Sequence, residues 1–77
     1  MKEKLRKIMS QVIGVDIKLI NESSTMESLE NWDSLKHIDL MMSLEETFNI
    51  TFAADEMAEM TSFLKITQVL TAKGVSE

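Results

Sequence analysis

Cysteine is absent from the 77-residue chain. That excludes disulfides, thiolate metal sites and a nucleophilic thiol of the chain's own, so any thiol chemistry has to be imported. Proline is absent too, and nothing breaks the helical segments from within. Long apolar runs are missing. The longest span a few residues, far short of the roughly 20 that a membrane helix needs, and the N-terminus lacks the apolar block of a signal peptide. The expected location is the cytoplasm. Bases are scarce: thirteen acids face eight, for a formal net charge of −5. This disfavours nucleic acid or an anionic membrane surface as a partner and favours a basic protein. The imbalance is local, because residues 1–18 hold five bases and two acids whereas residues 22–59 hold ten acids and one base, Lys36.

What is present is a globular balance of 44% hydrophobic and 27% charged residues, enough for a single domain over residues 1–77 with one core. Leu5, Ile8, Met9, Val12 and Ile13 recur at helical spacing among lysines and an arginine, which predicts an amphipathic first helix stopped at Gly14. Residues 15–20 alternate like a strand but have no partner strand, so they read as extended loop tucked under the helices. Residues 21–32 form the long loop, where Ser24 and Glu27 suit a capping box and Met26, Leu29 and Trp32 are candidate anchors. Ser34 to Phe48 reads as a helix capped by Asp33 or Ser34 and ended by Asn49. A short helix follows at Asp55–Met60. Thr61 or Ser62 then caps a last helix, which carries Phe63, Ile66, Val69 and Leu70 and stops at Gly74. The predicted fold is all-α: a small four-helix bundle with three longer helices, one short helix and a long loop between the first two.

The helix at Ser34–Phe48 carries two apolar groups where one core needs only one. Leu40, Met41, Leu44 and Phe48 make the larger, core-facing group. Leu35, Ile38 and Met42 lie well over 100° round the helix at i, i+3 and i+7. Glu45 borders this second strip on one side, and Asp39 and Glu46 border it on the other. Acids left without partners rarely flank a buried stripe, so the strip is expected to dock a partner. Of the seven methionines, Met9 and Met41 are expected in the core, Met42 at the docking strip, and Met57 and Met60 in a mouldable wall.

The segment Asn31-Trp32-Asp33-Ser34-Leu35-Lys36-His37-Ile38-Asp39-Leu40 resembles the attachment motif of the acyl and peptidyl carrier protein family. There Asp-Ser-Leu opens the second helix and the serine bears 4′-phosphopantetheine. The resemblance extends through Leu-Met-Met-Ser-Leu-Glu-Glu-Thr-Phe-Asn-Ile and over the whole chain. It implies an acyl carrier domain with no catalytic activity and no resident metal, loaded at Ser34 by a phosphopantetheinyl transferase that uses coenzyme A and magnesium. Asp33 would help hold that magnesium, and Leu35, Ile38 and Met42 would fill the transferase's groove. A phosphodiester on Ser34 would sit at a helix N-terminus, where backbone N–H groups and the dipole favour an anion by about 0.3–1 kcal/mol.

The other implied partners are an acyl- or aminoacyl-loading ligase and downstream pathway enzymes, meeting a monomeric carrier. Phe48, Phe52, Met57 and Met60 would form an acyl-chain cleft, and His37 would border the point where the arm emerges. Trp32 before the motif and Lys36-His37 after it depart from housekeeping fatty-acid carriers and resemble stand-alone carriers of dedicated pathways. Three alternatives remain at this level: an acidic helical adaptor without an arm, a bundle binding free fatty acid, and a peptidyl or aminoacyl carrier of nonribosomal synthesis. A Ser34–His37 hydrolase pair is set aside, since both residues share one helix and no third member or oxyanion donor is visible.

Overall fold

Helix-forming Lys, Glu, Leu, Arg and Met dominate the start of the chain, and the computed structural model, which describes residues 1–75, begins with α1 at Lys2–Met9. The helical path runs on past Met9 to the predicted stop at Gly14. It widens into a π-type turn over Ser10–Gly14 before the backbone becomes extended at Val15. Gly14 takes φ +82° with nothing within 4 Å of where a Cβ would stand, so the glycine serves the left-handed stop and not a close approach. Ser10 donates to the Val15 carbonyl at 2.6 Å and closes the turn.

The following segment is not fully extended. Ile17–Leu19 makes a 3-10 turn, with the Asp16 carboxylate accepting from Lys18 N–H at 2.9 Å. Ile20 tucks into the core, whereas Leu19 stays 59% exposed. Arg6 ties this segment to α1 by donating to the carbonyls of Ile20 and Ile17 at 3.0 and 3.2 Å.

In the long loop, the expected Ser24–Glu27 box is replaced by one a residue later. Thr25 N–H donates to Ser28 Oγ at 2.8 Å and Ser28 N–H to Thr25 Oγ1 at 3.1 Å. Ser24 is buried, and its hydroxyl is taken by Asn21 N–H and the Leu19 carbonyl, which is why it is not available as the cap. Leu29 and Trp32 anchor the loop in the core, with Met26 half-buried against it. Met26 N–H to Thr61 O (2.8 Å) and Phe63 N–H to Ser24 O (2.9 Å) fasten the loop to the far end of the bundle.

The remaining helices are α2 at Ser34–Phe48, α3 at Ala54–Glu59 and α4 at Phe63–Ala72. Asn49 ends α2 in the left-handed region at φ 55°, and Ile50 N–H reaches back to Glu45 O at 3.1 Å. Ser62, one of the two candidates, caps α4 by accepting from Lys65 N–H at 3.1 Å. Gly74, at φ +88°, lets Val75 N–H close on Leu70 O. The core sits where α1, α2 and α4 converge: Leu5, Met9 and Ile13 meet Leu40, Met41 and Leu44, with Phe63, Ile66 and Leu70 closing the third side. The bundle is the predicted one, with three longer helices and a short α3. Residues 76 and 77 of the expected domain lie outside the described residues. Among the described residues, no helix is long and apolar enough to cross a membrane.

Candidate functional site

The two candidates for the α2 cap resolve in favour of Asp33. Its backbone is extended, its carboxylate accepts from Lys36 N–H at 2.9 Å, and its carbonyl accepts from His37 N–H at 2.8 Å. That leaves Ser34 as the first helical residue. It is exposed, and its hydroxyl makes no hydrogen bond among the described residues. A serine used as a cap would have its oxygen turned back on the helix. Here Asp33 takes that role, and the Ser34 hydroxyl faces outward beside first-turn N–H groups that no intrahelical carbonyl can reach.

His37 stands one turn beyond Ser34 but cannot act as its base. Nδ1 accepts from the Trp32 indole N–H at 3.2 Å, and Nε2 lies 2.7 Å from the Met57 carbonyl. Both ring nitrogens are committed, and the two rings tilt against each other at 5.8 Å between centroids. This removes the serine-hydrolase alternative on geometry.

The second apolar strip is exposed. Leu35, Ile38 and Met42 are 75%, 56% and 58% accessible, whereas Leu40, Met41 and Leu44 on the opposite side are buried. Of the three acids expected to border the strip, Asp39 and Glu46 are exposed. Glu45 is half-buried, and its Oε2 accepts from Phe52 N–H at 2.8 Å. It braces the connection after α2, so it is not simply a rim charge. The sequence offered no local sign of this, because the partner lies seven residues away across a turn.

The residues expected to line an acyl cleft are all buried or half-buried at the hydrophobic core. Phe52 and Met60 are core residues, while Phe48 and Met57 are half-buried against the core cluster. The Lys4 and Lys73 ammonium groups sit 5.8 and 5.7 Å from the Phe48 and Phe52 ring centroids. The short α3 is held at its start by Glu56. The Glu56 carboxylate accepts from Ala53 N–H at 2.8 Å and pairs with Lys73 at 3.0 Å. The backbone N–H of Ala53 first, and the Lys73 ammonium second, keep the Glu56 carboxyl below the usual glutamate value.

This arrangement fits a covalent phosphate ester at Ser34: an unengaged hydroxyl at the positive end of a 15-residue helix, beside an apolar strip open to solvent. The family described as "phosphopantetheine attachment site" matches residues 3–70. An acyl carrier protein of Buchnera aphidicola subsp. Baizongia pistaciae is 38% identical over 69 residues, covering 88% of this chain and 87% of that protein. The polyketide-8 synthase acyl carrier protein 2 of Streptomyces avermitilis is 29% identical over 73 residues, covering 94% and 83%. In fold, the chain superposes on a solved structure from Mycobacterium tuberculosis, itself assigned only provisionally as an acyl carrier protein. The TM-score is 0.84 at 17% identity, covering 94% and 96% of the two chains. The chain therefore belongs to the acyl carrier protein family, carriers that bear their cargo on a covalent 4′-phosphopantetheine arm and catalyse no reaction themselves.

Proposed function

We propose that Ser34 Oγ is the atom that takes the arm, and that residues 1–77 act as one monomeric cytoplasmic carrier domain. The observation that carries this is the division of labour at the start of α2: Asp33 caps the helix and leaves the serine hydroxyl outward and unbonded. The arm supplies the thiol that this cysteine-free chain lacks. Asp33 keeps one carboxylate oxygen outside the cap bond, which suits it to share a magnesium ion with the transferase.

Leu35, Ile38 and Met42 are the apolar contacts for the phosphopantetheinyl transferase, the loading ligase and the later enzymes, and Asp39 and Glu46 are the charges that steer basic partners onto them. Glu45 contributes to that field while serving as a brace. A guest chain entering between α2 and α3 has to move Phe52 and Met60 out of the core, so the cleft opens only as the guest arrives. Trp32 and the Lys36-His37 pair favour a dedicated pathway over housekeeping synthesis, and the polyketide carrier among the relatives is consistent with this.

Incubation with coenzyme A, magnesium and a phosphopantetheinyl transferase is expected to add the mass of the arm to the wild type and not to Ser34→Ala. Ile38→Glu and Met42→Glu, at positions more than half exposed, are expected to fold normally and load slowly. A wild type that stays unmodified with several transferases, or a Ser34→Ala variant that still gains the arm, overturns the assignment. Retained partner binding by Ser34→Ala in that case would point to an adaptor instead.

A further inference from the structure

α3 is six residues long, too short to be stable as an isolated helix, so its position depends on what holds its two ends. Glu56 holds the first end through Ala53 N–H and Lys73. At the other end the Met57 carbonyl belongs to the last turn, where helical carbonyls lack full partners. It receives a long bond from Met60 N–H at 3.3 Å and a short one from His37 Nε2 at 2.7 Å. The side chain closing α3 thus comes from α2.

The partners of His37 also fix its proton. An indole N–H only donates, so the Nδ1 atom facing Trp32 carries no hydrogen; a carbonyl only accepts, so the Nε2 atom facing Met57 carries one. Trp32 is 2% exposed and locked in the core. A relay of indole, imidazole and carbonyl therefore runs from the residue two before Ser34, through the residue three after it, to the end of α3. We propose that His37 is a positioning residue, a neutral latch with its proton on Nε2 that fixes the end of α3 to the root of the arm so that the two shift together. The link to the arm rests on Ser34 being the attachment point; the latch itself exists without the arm.

Three variants separate this from a plain packing role. His37→Leu fills similar space with no hydrogen bonds. His37→Gln can accept from the indole through its oxygen and donate to the carbonyl through its nitrogen. Trp32→Phe keeps a ring and removes the donor. In the unmodified protein, imidazole 15N spectra are expected to show an Nε2-protonated ring, with the Nδ1 signal moved by Trp32→Phe. Hydrogen exchange of the α3 amides is expected to speed up on the order of fivefold in His37→Leu, with α1, α2 and α4 unchanged and recovery in His37→Gln. In the loaded protein, the phosphorus resonance of the arm is expected to move in His37→Leu and return in His37→Gln. An Nδ1-protonated ring, α3 exchange that does not respond, or uniform acceleration over the whole bundle each overturns the latch. Failure of the wild type to load sinks only the attachment assignment, since the nitrogen spectra and α3 exchange are measured without the arm.

Discussion

Glu45 and Glu46 are adjacent acids on the same helix, and reversing either to lysine changes the net charge equally, yet the two are expected to fail in different ways. Glu45 Oε2 accepts from the backbone N–H of Phe52, a residue only 8% exposed. A hydrogen bond to a charged group is worth about 1.5–3 kcal/mol, and a half-buried acceptor that water can partly replace falls at or somewhat below the low end of that range, about 1–2 kcal/mol. For a domain of this size each kcal/mol moves the thermal midpoint by about 4–8 °C, so Glu45→Lys should lower it by roughly 5–15 °C. Glu45→Gln keeps an oxygen at the same place and should lose less than half as much. Glu46 is exposed and makes no such bond among the described residues, so Glu46→Lys should stay within about 0.5 kcal/mol of the wild type. Its effect should appear instead as slower, less salt-sensitive association with a basic partner enzyme. Thermal melts followed by circular dichroism, paired with stopped-flow association at two salt concentrations, read both effects. Equal midpoints for the two lysine variants would refute the brace.

Leu44→Ala removes a fully buried side chain from the centre of the core and should cost about 2–5 kcal/mol, measured as a fall in the urea midpoint. Asn49→Val forces a β-branched residue into φ 55° and should cost about 1–2 kcal/mol, whereas Asn49→Gly should match or exceed the wild type in the same titration. Because the folded Glu56 carboxyl is held below its ordinary value, it stabilises the fold when ionised. Its contribution should be complete above the usual glutamate range and disappear as pH falls through the lowered folded value. The stability gap between wild type and Glu56→Gln should therefore close on acidification and narrow with added salt, as followed by melts across the acid range.

The strongest readings from sequence concern α2, whose extent follows from local chemistry, although the choice of Asp33 over Ser34 as its cap came from the structure. Asp33 can accept from Lys36 N–H, and Asn49 tolerates the left-handed region that ends a helix. The separation of Leu35, Ile38 and Met42 from Leu40, Met41 and Leu44 was equally legible, because turning by 100° per residue assigns faces without knowing what covers them. The loop was harder to read. Ser23, Ser24, Thr25 and Ser28 offer several hydroxyls at capping distance, and the choice of Thr25–Ser28 over Ser24–Glu27 followed from the burial of Ser24, a property of the packed molecule.

The sequence by itself determined the helical periods, the stops at Gly14, Asn49 and Gly74, the two-sided second helix and the serine at its head, since each depends on neighbours within about one turn of the chain. Only the tertiary structure decided that Glu45 braces Phe52, that His37 joins Trp32 to the Met57 carbonyl, and that Met60 lies wholly inside the core. Those contacts join groups separated by turns and whole elements. Which of many available donors and acceptors meet is set by how the apolar faces pack, and periodicity along one strand of sequence carries no record of it.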